Sequence, residues 1–134
     1  MAYRILIVDD ETSWLSSHKE IIESSFQEVF TIELASSAKQ ALEVIKEFAP
    51  QLVISDMEME KIENGMYAGE YLIKTVKDLY PDIVTIIISG APDGEKIAER
   101  NCVKAFIPKW SLASYPLQLK LTISEIFDLK YEIC

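Results

Sequence analysis

Apolar residues along this chain fall into short runs separated by longer stretches with a helical stripe. The runs Arg4–Val8, Thr31–Ala35, Leu52–Ser55, Ile83–Ile88 and Val103–Ile107 read as strands. Leu52–Ser55 and Ile83–Ile88 lack strict polar alternation, the pattern of strands buried on both faces. Leu15, His18, Ile22 and Phe26 share one stripe and predict a helix from about Ser13 to Phe26. Ala41, Leu42, Ile45 and Phe48 do the same for Ala38–Phe48, with Ser36 and Ser37 as candidate caps and Pro50 as the stop. Leu72, Ile73, Val76 and Leu79 give a third helix its buried face, starting near Gly69, with Met66 to Ala68 as loop or as an added first turn. A short helix runs from Asp93 or Gly94 to Arg100, and Asn101 can take the left-handed conformation past its end. The last helix, Tyr115–Leu129, carries Leu119, Ile123, Ile126 and Phe127 on its core side.

Alternation of strands and helices requires crossover connections, which predicts an α/β fold: a mainly parallel five-stranded sheet covered on both faces. The first, third and fourth strands are expected to be the most buried. Internal repeats and linkers are missing from the pattern, so one domain over residues 1–134 is expected, with about 3–130 forming its compact part.

Composition narrows the partners. Hydrophobic residues make up 49% and charged residues 26%, which argues against disorder. The net charge of −9, from 22 acidic and 13 basic residues, comes without a dense Lys/Arg cluster. Direct binding to nucleic acid or an anionic membrane therefore has poor electrostatic support, whereas a cation or a basic protein surface is favoured. Cys102 and Cys134 fit no metal-ligand spacing; Cys102 reads as a buried or incidental thiol and Cys134 as an exposed one. A basic leader is missing, and no apolar stretch approaches the roughly 18 residues needed to cross a bilayer, so a cytoplasmic location is expected. His18 reads as a packing or surface residue, since nothing nearby in the sequence makes it a hydrolytic base. The glycines form neither a dinucleotide fingerprint nor a P-loop.

In an open parallel sheet, ligands bind outside the carboxyl ends of the strands. Asp9 and Asp10 follow the first strand, Asp56 the third, Ser89 the fourth and Lys109 the fifth. Taken singly, each has a bland reading: helix cap for Asp9, Asp10 or Ser89, turn former for Asp56, exposed tether for Lys109. Taken together, they imply a small acidic mouth whose carboxylates repel one another unless a cation neutralises them. An all-oxygen donor set favours Mg²⁺ or Mn²⁺ over zinc. Lys109 and Ser89 are suitable donors to a phosphoryl group, and the Asp56 carboxylate is a suitable nucleophile for an acyl phosphate.

These segments resemble the receiver domain of the two-component response-regulator family (CheY-like) along essentially the whole chain. The matching motifs are ILIVDDE with Asp9 and Asp10, LVISDMEM with Asp56, TIIISG with Ser89 and AFIPK with Lys109. The resemblance implies a doubly wound, flavodoxin-like three-layer sandwich with strand order 2-1-3-4-5. It implies Mg²⁺ on Asp9, Asp10, Asp56 and the backbone carbonyl of Glu58, and phosphoryl transfer to Asp56 from a phosphohistidine on a sensor kinase or phosphotransfer protein. Lys109 would pair with the acyl phosphate, Ser89 would move toward a phosphoryl oxygen, and Phe106 would be the switch aromatic. The activity implied is self-phosphorylation and autodephosphorylation rather than metabolic turnover. The downstream partner would be a separate protein or a fused output domain, with the fourth-helix region and last helix as candidate homodimer surfaces; a stand-alone receiver and a domain of a longer regulator both remain open.

Three departures from the family pattern stand out. The stretch Glu60–Ala68 contains an insertion and lacks the usual proline. Lys109 is followed by Trp110 instead of proline, so either a trans connection or a strained cis bond is expected, with a possible displacement of the amine or an aromatic partner patch. Phe106 replaces the commoner tyrosine and has no hydroxyl to bond at the end of its swing. Glu58 is either a solvated loop acid or a side chain that modulates water access during phosphoaspartate hydrolysis. A phosphorylation-independent interaction scaffold and, more distantly, an aspartyl-nucleophile hydrolase with Glu58 as its second acid are the competing readings.

Overall fold

A computed structural model describes residues 2–26, 29–59, 66–110 and 114–129. Its elements are β1 (Tyr3–Val8), α1 (Thr12–Phe26), β2 (Phe30–Ala35), α2 (Ala38–Phe48), β3 (Leu52–Ser55), α3 (Ala68–Leu79), β4 (Val84–Ser89), α4 (Gly94–Arg100), β5 (Ala105–Pro108) and α5 (Tyr115–Phe127). All strand pairs are parallel, in the order β2-β1-β3-β4-β5, as the resemblance implied.

Side chains alternate between the two faces of each strand, and both faces are covered, which is why the central runs are apolar throughout. Ile5, Ile7, Ile54, Ile86 and Ile88 pack with Leu15 and Ile22 of α1 and Leu119 and Ile123 of α5. Leu6, Val8 and Val53 enter the opposite core with Ala41 and Ile45 of α2 and Leu72 and Val76 of α3. Met57, Ile73, Ile87 and Ile97 extend that second layer toward α4. Register then decides what stands at the carboxyl edge. Val8 pairs with Ser55, and Ser89 pairs with Pro108, so the residues that follow leave the sheet side by side.

The helix ends follow local chemistry. Ser37 caps α2 by accepting from the Gln40 amide at 3.1 Å, and Ala49 closes it in the left-handed conformation with its amide on Ile45 O. α3 begins at Ala68, one residue earlier than the glycine suggested. Gly69 is needed at that crossing, because a Cβ there would lie 2.1 Å from the Asp56 carbonyl oxygen.

Several expectations are corrected. Leu79 is 64% exposed: it is the last residue of α3, whose buried face of Leu72, Ile73 and Val76 ends one turn earlier. Asn101 keeps a negative φ and Cys102 takes the left-handed position, φ 52°, which turns the Cys102 side chain outward; the thiol is exposed, not buried. Phe48 is only half-buried. Cys134 and residues 60–65 of the Glu60–Ala68 insertion lie outside the described residues; of the remainder, Met66 precedes α3, Tyr67 is its extended N-cap and Ala68 is its first residue. Among the described residues no helix is long and apolar enough to cross a membrane.

Asn101 is held instead by its side chain. Its Nδ2 donates to Glu70 Oε2 at 2.7 Å and to Ile97 O at 2.8 Å. Arg100 grips the same buried carboxylate through Nε at 2.9 Å and Nη2 at 2.8 Å, and Lys77 donates to the Asn101 carbonyl. Glu70 thus clamps the end of α4 to α3, and the Arg100 hydrogen bond, aided by Asn101, outweighs burial to hold its carboxyl below the usual range. A carboxylate with a depressed native pKa stabilises the fold above its unfolded pKa and loses that contribution as pH falls through the native value. Glu70→Ala is expected to lose about 2 kcal/mol at neutral pH, the scale of charge-assisted hydrogen bonds diluted by the exposed Arg100. In urea unfolding, the gap from wild type should close below about pH 4.

Candidate functional site

The strand ends bring Asp9, Asp56 and Lys109 into direct contact at the carboxyl edge. Asp9 N donates to Ala35 O and Asp56 N to Val8 O, so both acids continue the strand ladders before the chain turns away. Lys109 N donates to Ser89 O at 3.0 Å, which ties the end of β5 to β4. The Lys109–Trp110 peptide is trans, and Trp110, next to Lys109 in the chain, is 71% exposed. The missing proline therefore does not pull the amine away: Lys109 Nζ donates to Asp9 Oδ2 at 2.8 Å and lies 3.4 Å from Asp56 Oδ1.

Asp9 is fully buried, and its Oδ1 accepts from the Glu11 amide at 3.0 Å, so it also serves the helix entry that the bland reading assigned to it. Burial pushes its carboxyl up, but the nearby His18 ring, hydrogen bonds from Lys109 and Glu11 and the charge of Lys109 together hold it below the usual range. Asp56 shows the opposite balance. Burial raises its pKa, Lys109 opposes this, Asp9 adds to the rise, and the Glu58 amide lowers it, leaving the carboxyl at about 6. Its Oδ1 is buried and has no hydrogen-bond donor, the ammonium at 3.4 Å being out of hydrogen-bonding alignment. Asp10 is exposed and faces the same mouth.

Carboxylate oxygens of Asp9, Asp10 and Asp56 all lie within 4.8 Å of one another. With an orphaned buried oxygen among them and no sulfur or imidazole in the cluster, the residues fit a hard divalent cation. Ser89 is buried, and its Oγ accepts from the Ala91 amide at 3.0 Å, capping the β4–α4 turn rather than α4 itself. Phe106 is half-buried with its ring against Gly94, where a Cβ would sit 2.9 Å from Cε1 and 3.7 Å from the Ser89 Cβ. Glu58 is exposed at the loop that follows Asp56.

Reading the sequence passed over one side of the pocket. His18 is buried, its Nε2 stands 3.9 Å from Asp9 Oδ2 and its Nδ1 is hydrogen-bonded to the Tyr115 hydroxyl. Trp14 lies under Lys109, with Nζ 4.8 Å from the ring centre. A polar ring on an otherwise apolar helical stripe, four residues after a tryptophan, was the available signal.

A model of the response regulator receiver domain matches residues 5–107. The chain belongs to that family. This receiver domain is 31% identical over 93 residues to the hydrogenase transcriptional regulatory protein HoxA of Cupriavidus necator, covering 69% of the present chain and 17% of that regulator. It is also similar to a CheY-like response regulator receiver domain protein from Methanospirillum hungatei JF-1, at 28% identity and a TM-score of 0.77, with 96% and 95% of the two chains covered. The signal receiver domain of an HD domain-containing protein from Pseudomonas fluorescens Pf-5 shares the fold at 21% identity and a TM-score of 0.79, with 96% of each chain covered.

The raised Asp56 pKa makes a stability prediction. A carboxyl raised in the native state contributes stability that is complete below its unfolded pKa and is lost as pH rises through about 6. Without divalent cations, Asp56→Asn should therefore be more stable than wild type at pH 7.5, by on the order of 2–3 kcal/mol, and the advantage should vanish near pH 4. Mg²⁺ should raise the urea midpoint of wild type and leave that of Asp56→Asn nearly unchanged.

Proposed function

We propose that this receiver domain takes a phosphoryl group from a phosphohistidine of a sensor histidine kinase or phosphotransfer protein onto Asp56 and so switches a protein-binding face. The observation that carries the reading is the buried, hydrogen-bond-free Asp56 Oδ1, with an ammonium 3.4 Å away and two further carboxylates beside it. Such an oxygen is desolvated, still largely ionised at neutral pH, and flanked by the charge needed to stabilise a transferring phosphoryl group.

In the reaction, an Asp56 carboxylate oxygen attacks phosphorus, the P–N bond of the phosphohistidine breaks, and the departing imidazole keeps the electron pair. Mg²⁺, or Mn²⁺ in its place, would be held by Asp9, Asp10, Asp56 and the Glu58 backbone carbonyl and would supply charge screening and orientation of the phosphoryl oxygens. Lys109 moves its ammonium from Asp9 to a phosphoryl oxygen. Ser89, whose Oγ accepts from the Ala91 amide, donates its hydroxyl hydrogen to another. Attack of water on the phosphorus later returns the carboxylate and inorganic phosphate, and the exposed Glu58 side chain controls how water reaches it.

The signal leaves through packing. A shift of Ser89 frees space beside the Phe106 ring, which rests on Gly94 at the start of α4. Glu70 holds the other end of α4, so the displacement is concentrated at its N-terminal end. The outcome is a population shift between two packings of the α4–β5 region, read by a separate target or a fused output domain.

A time course of Mg²⁺-dependent labelling with acetyl phosphate, followed by intact-protein mass, tests the reading. Wild type should gain one phosphoryl group, Asp56→Asn none, and Lys109→Ala should label about 100-fold more slowly, the scale of losing one transition-state donor. After donor removal, Glu58→Ala should lose its label at a changed rate. Absence of any Asp56-dependent adduct, under conditions that label an ordinary receiver, would instead favour a phosphorylation-independent scaffold.

A further inference from the structure

The α1–α5 side of the pocket contains a polar chain that the phosphoacceptor chemistry does not use. The Tyr115 hydroxyl bonds to His18 Nδ1, and His18 Nε2 faces Asp9 Oδ2 at 3.9 Å. That same oxygen is occupied by Lys109 at 2.8 Å. Trp14, four residues before His18 on α1, lies beneath the Lys109 ammonium and edge-on to Tyr115, with ring centroids 5.6 Å apart.

An apolar side chain would fill the His18 position without desolvating two ring nitrogens, so core packing alone does not account for the residue. Burial pushes the Tyr115 hydroxyl up to about 12, and it keeps its proton. The hydroxyl can thus donate to Nδ1, which leaves the ring hydrogen on Nε2, aimed at Asp9. At 3.9 Å this contact is too long for a hydrogen bond. It is a donor held in reserve next to an oxygen that another donor now fills.

The geometry points to His18 as a positioning residue for Lys109: when the ammonium leaves Asp9 Oδ2 for a phosphoryl oxygen on Asp56, the His18 Nε2–H closes on the Asp9 oxygen left behind. Tyr115 holds the imidazole in line for that movement, and the Trp14 face keeps the ammonium over the pocket while it exchanges partners. A buried carboxylate oxygen stripped of its donor is costly, and His18 removes that barrier to Lys109 release. A carboxylate oxygen has two lone pairs, so the incoming N–H does not displace a cation held by Asp9. This inference rests on the phosphoacceptor reading. It goes beyond it by assigning to α1 and α5 the control of when Lys109 becomes available.

His18 is the chain's single histidine, so ¹⁵N-histidine labelling gives one unambiguous imidazole signal set. On addition of Mg²⁺ and beryllofluoride, the Nε2–H proton should move downfield as its hydrogen bond to Asp9 forms. In parallel, His18→Phe, which fills the space without a donor, should accept phosphate from acetyl phosphate about tenfold more slowly than wild type. An imidazole signal that stays in place while ¹⁹F spectra show beryllofluoride bound overturns the assignment, as does a wild-type rate for His18→Phe. Should that variant not fold, the wild-type spectra decide alone. Failure of wild type itself to take phosphate or beryllofluoride at Asp56 would instead remove the phosphoacceptor reading, and this inference with it.

Discussion

Like charges crowded at the carboxyl edge of the sheet set the terms for the rest of this molecule. Carboxylate oxygens of Asp9, Asp10 and Asp56 come within 4.8 Å of one another, and two of these residues are almost wholly buried. Lys109 is the ammonium that makes this tolerable, and it divides itself unequally, 2.8 Å from Asp9 and 3.4 Å from Asp56. Burial raises both carboxyls; His18, Lys109 and the Glu11 amide together bring Asp9 below its ordinary range, whereas Lys109 only partly offsets burial at Asp56, which is left at about 6. The pocket is therefore balanced but incompletely neutralised, which suits a site that gains further charge.

The scaffold keeps that balance by register and close approach. Parallel pairing aligns the ends of β1 and β3, while Lys109 is pinned by its own backbone to Ser89. Gly69 lets α3 press against the Asp56 carbonyl, and Gly94 lets Phe106 press against α4 beside Ser89. These glycines stand where backbone or ring fills the space of a side chain. The α4 helix is secured to α3 through Glu70 at its far end, and at its near end Gly94 receives the Phe106 ring beside the pocket.

Much of this was legible in the sequence. Strand ends and helix stripes announce themselves when burial is two-sided, and Asp9, Asp10, Asp56, Ser89 and Lys109 could be grouped because the fold class dictates which strand ends meet. What stayed hidden depended on distance in space rather than pattern. The stripe reading placed Leu79 in the core because it has the right period, yet the buried face of α3 ends at Val76 and the last residue is exposed. Asn101 was read as a left-handed residue on propensity, but its side chain had Glu70 to bond and the turn fell to Cys102. His18 and Tyr115 are 97 residues apart, and no local rule links a histidine on one helix to a tyrosine opening another.

The central claim is that separate chain segments deliver carboxylates and one amine to a single acceptor. A crystal structure grown with Mn²⁺ and beryllofluoride tests it most directly, because anomalous scattering locates the cation independently of the protein. The expected result is an anomalous peak coordinated by Asp9, Asp10 and Asp56, with beryllium on an Asp56 oxygen and Lys109 Nζ within hydrogen-bonding distance of a fluorine. A peak away from these carboxylates, or an Asp56 adduct with Lys109 turned to solvent, would contradict it.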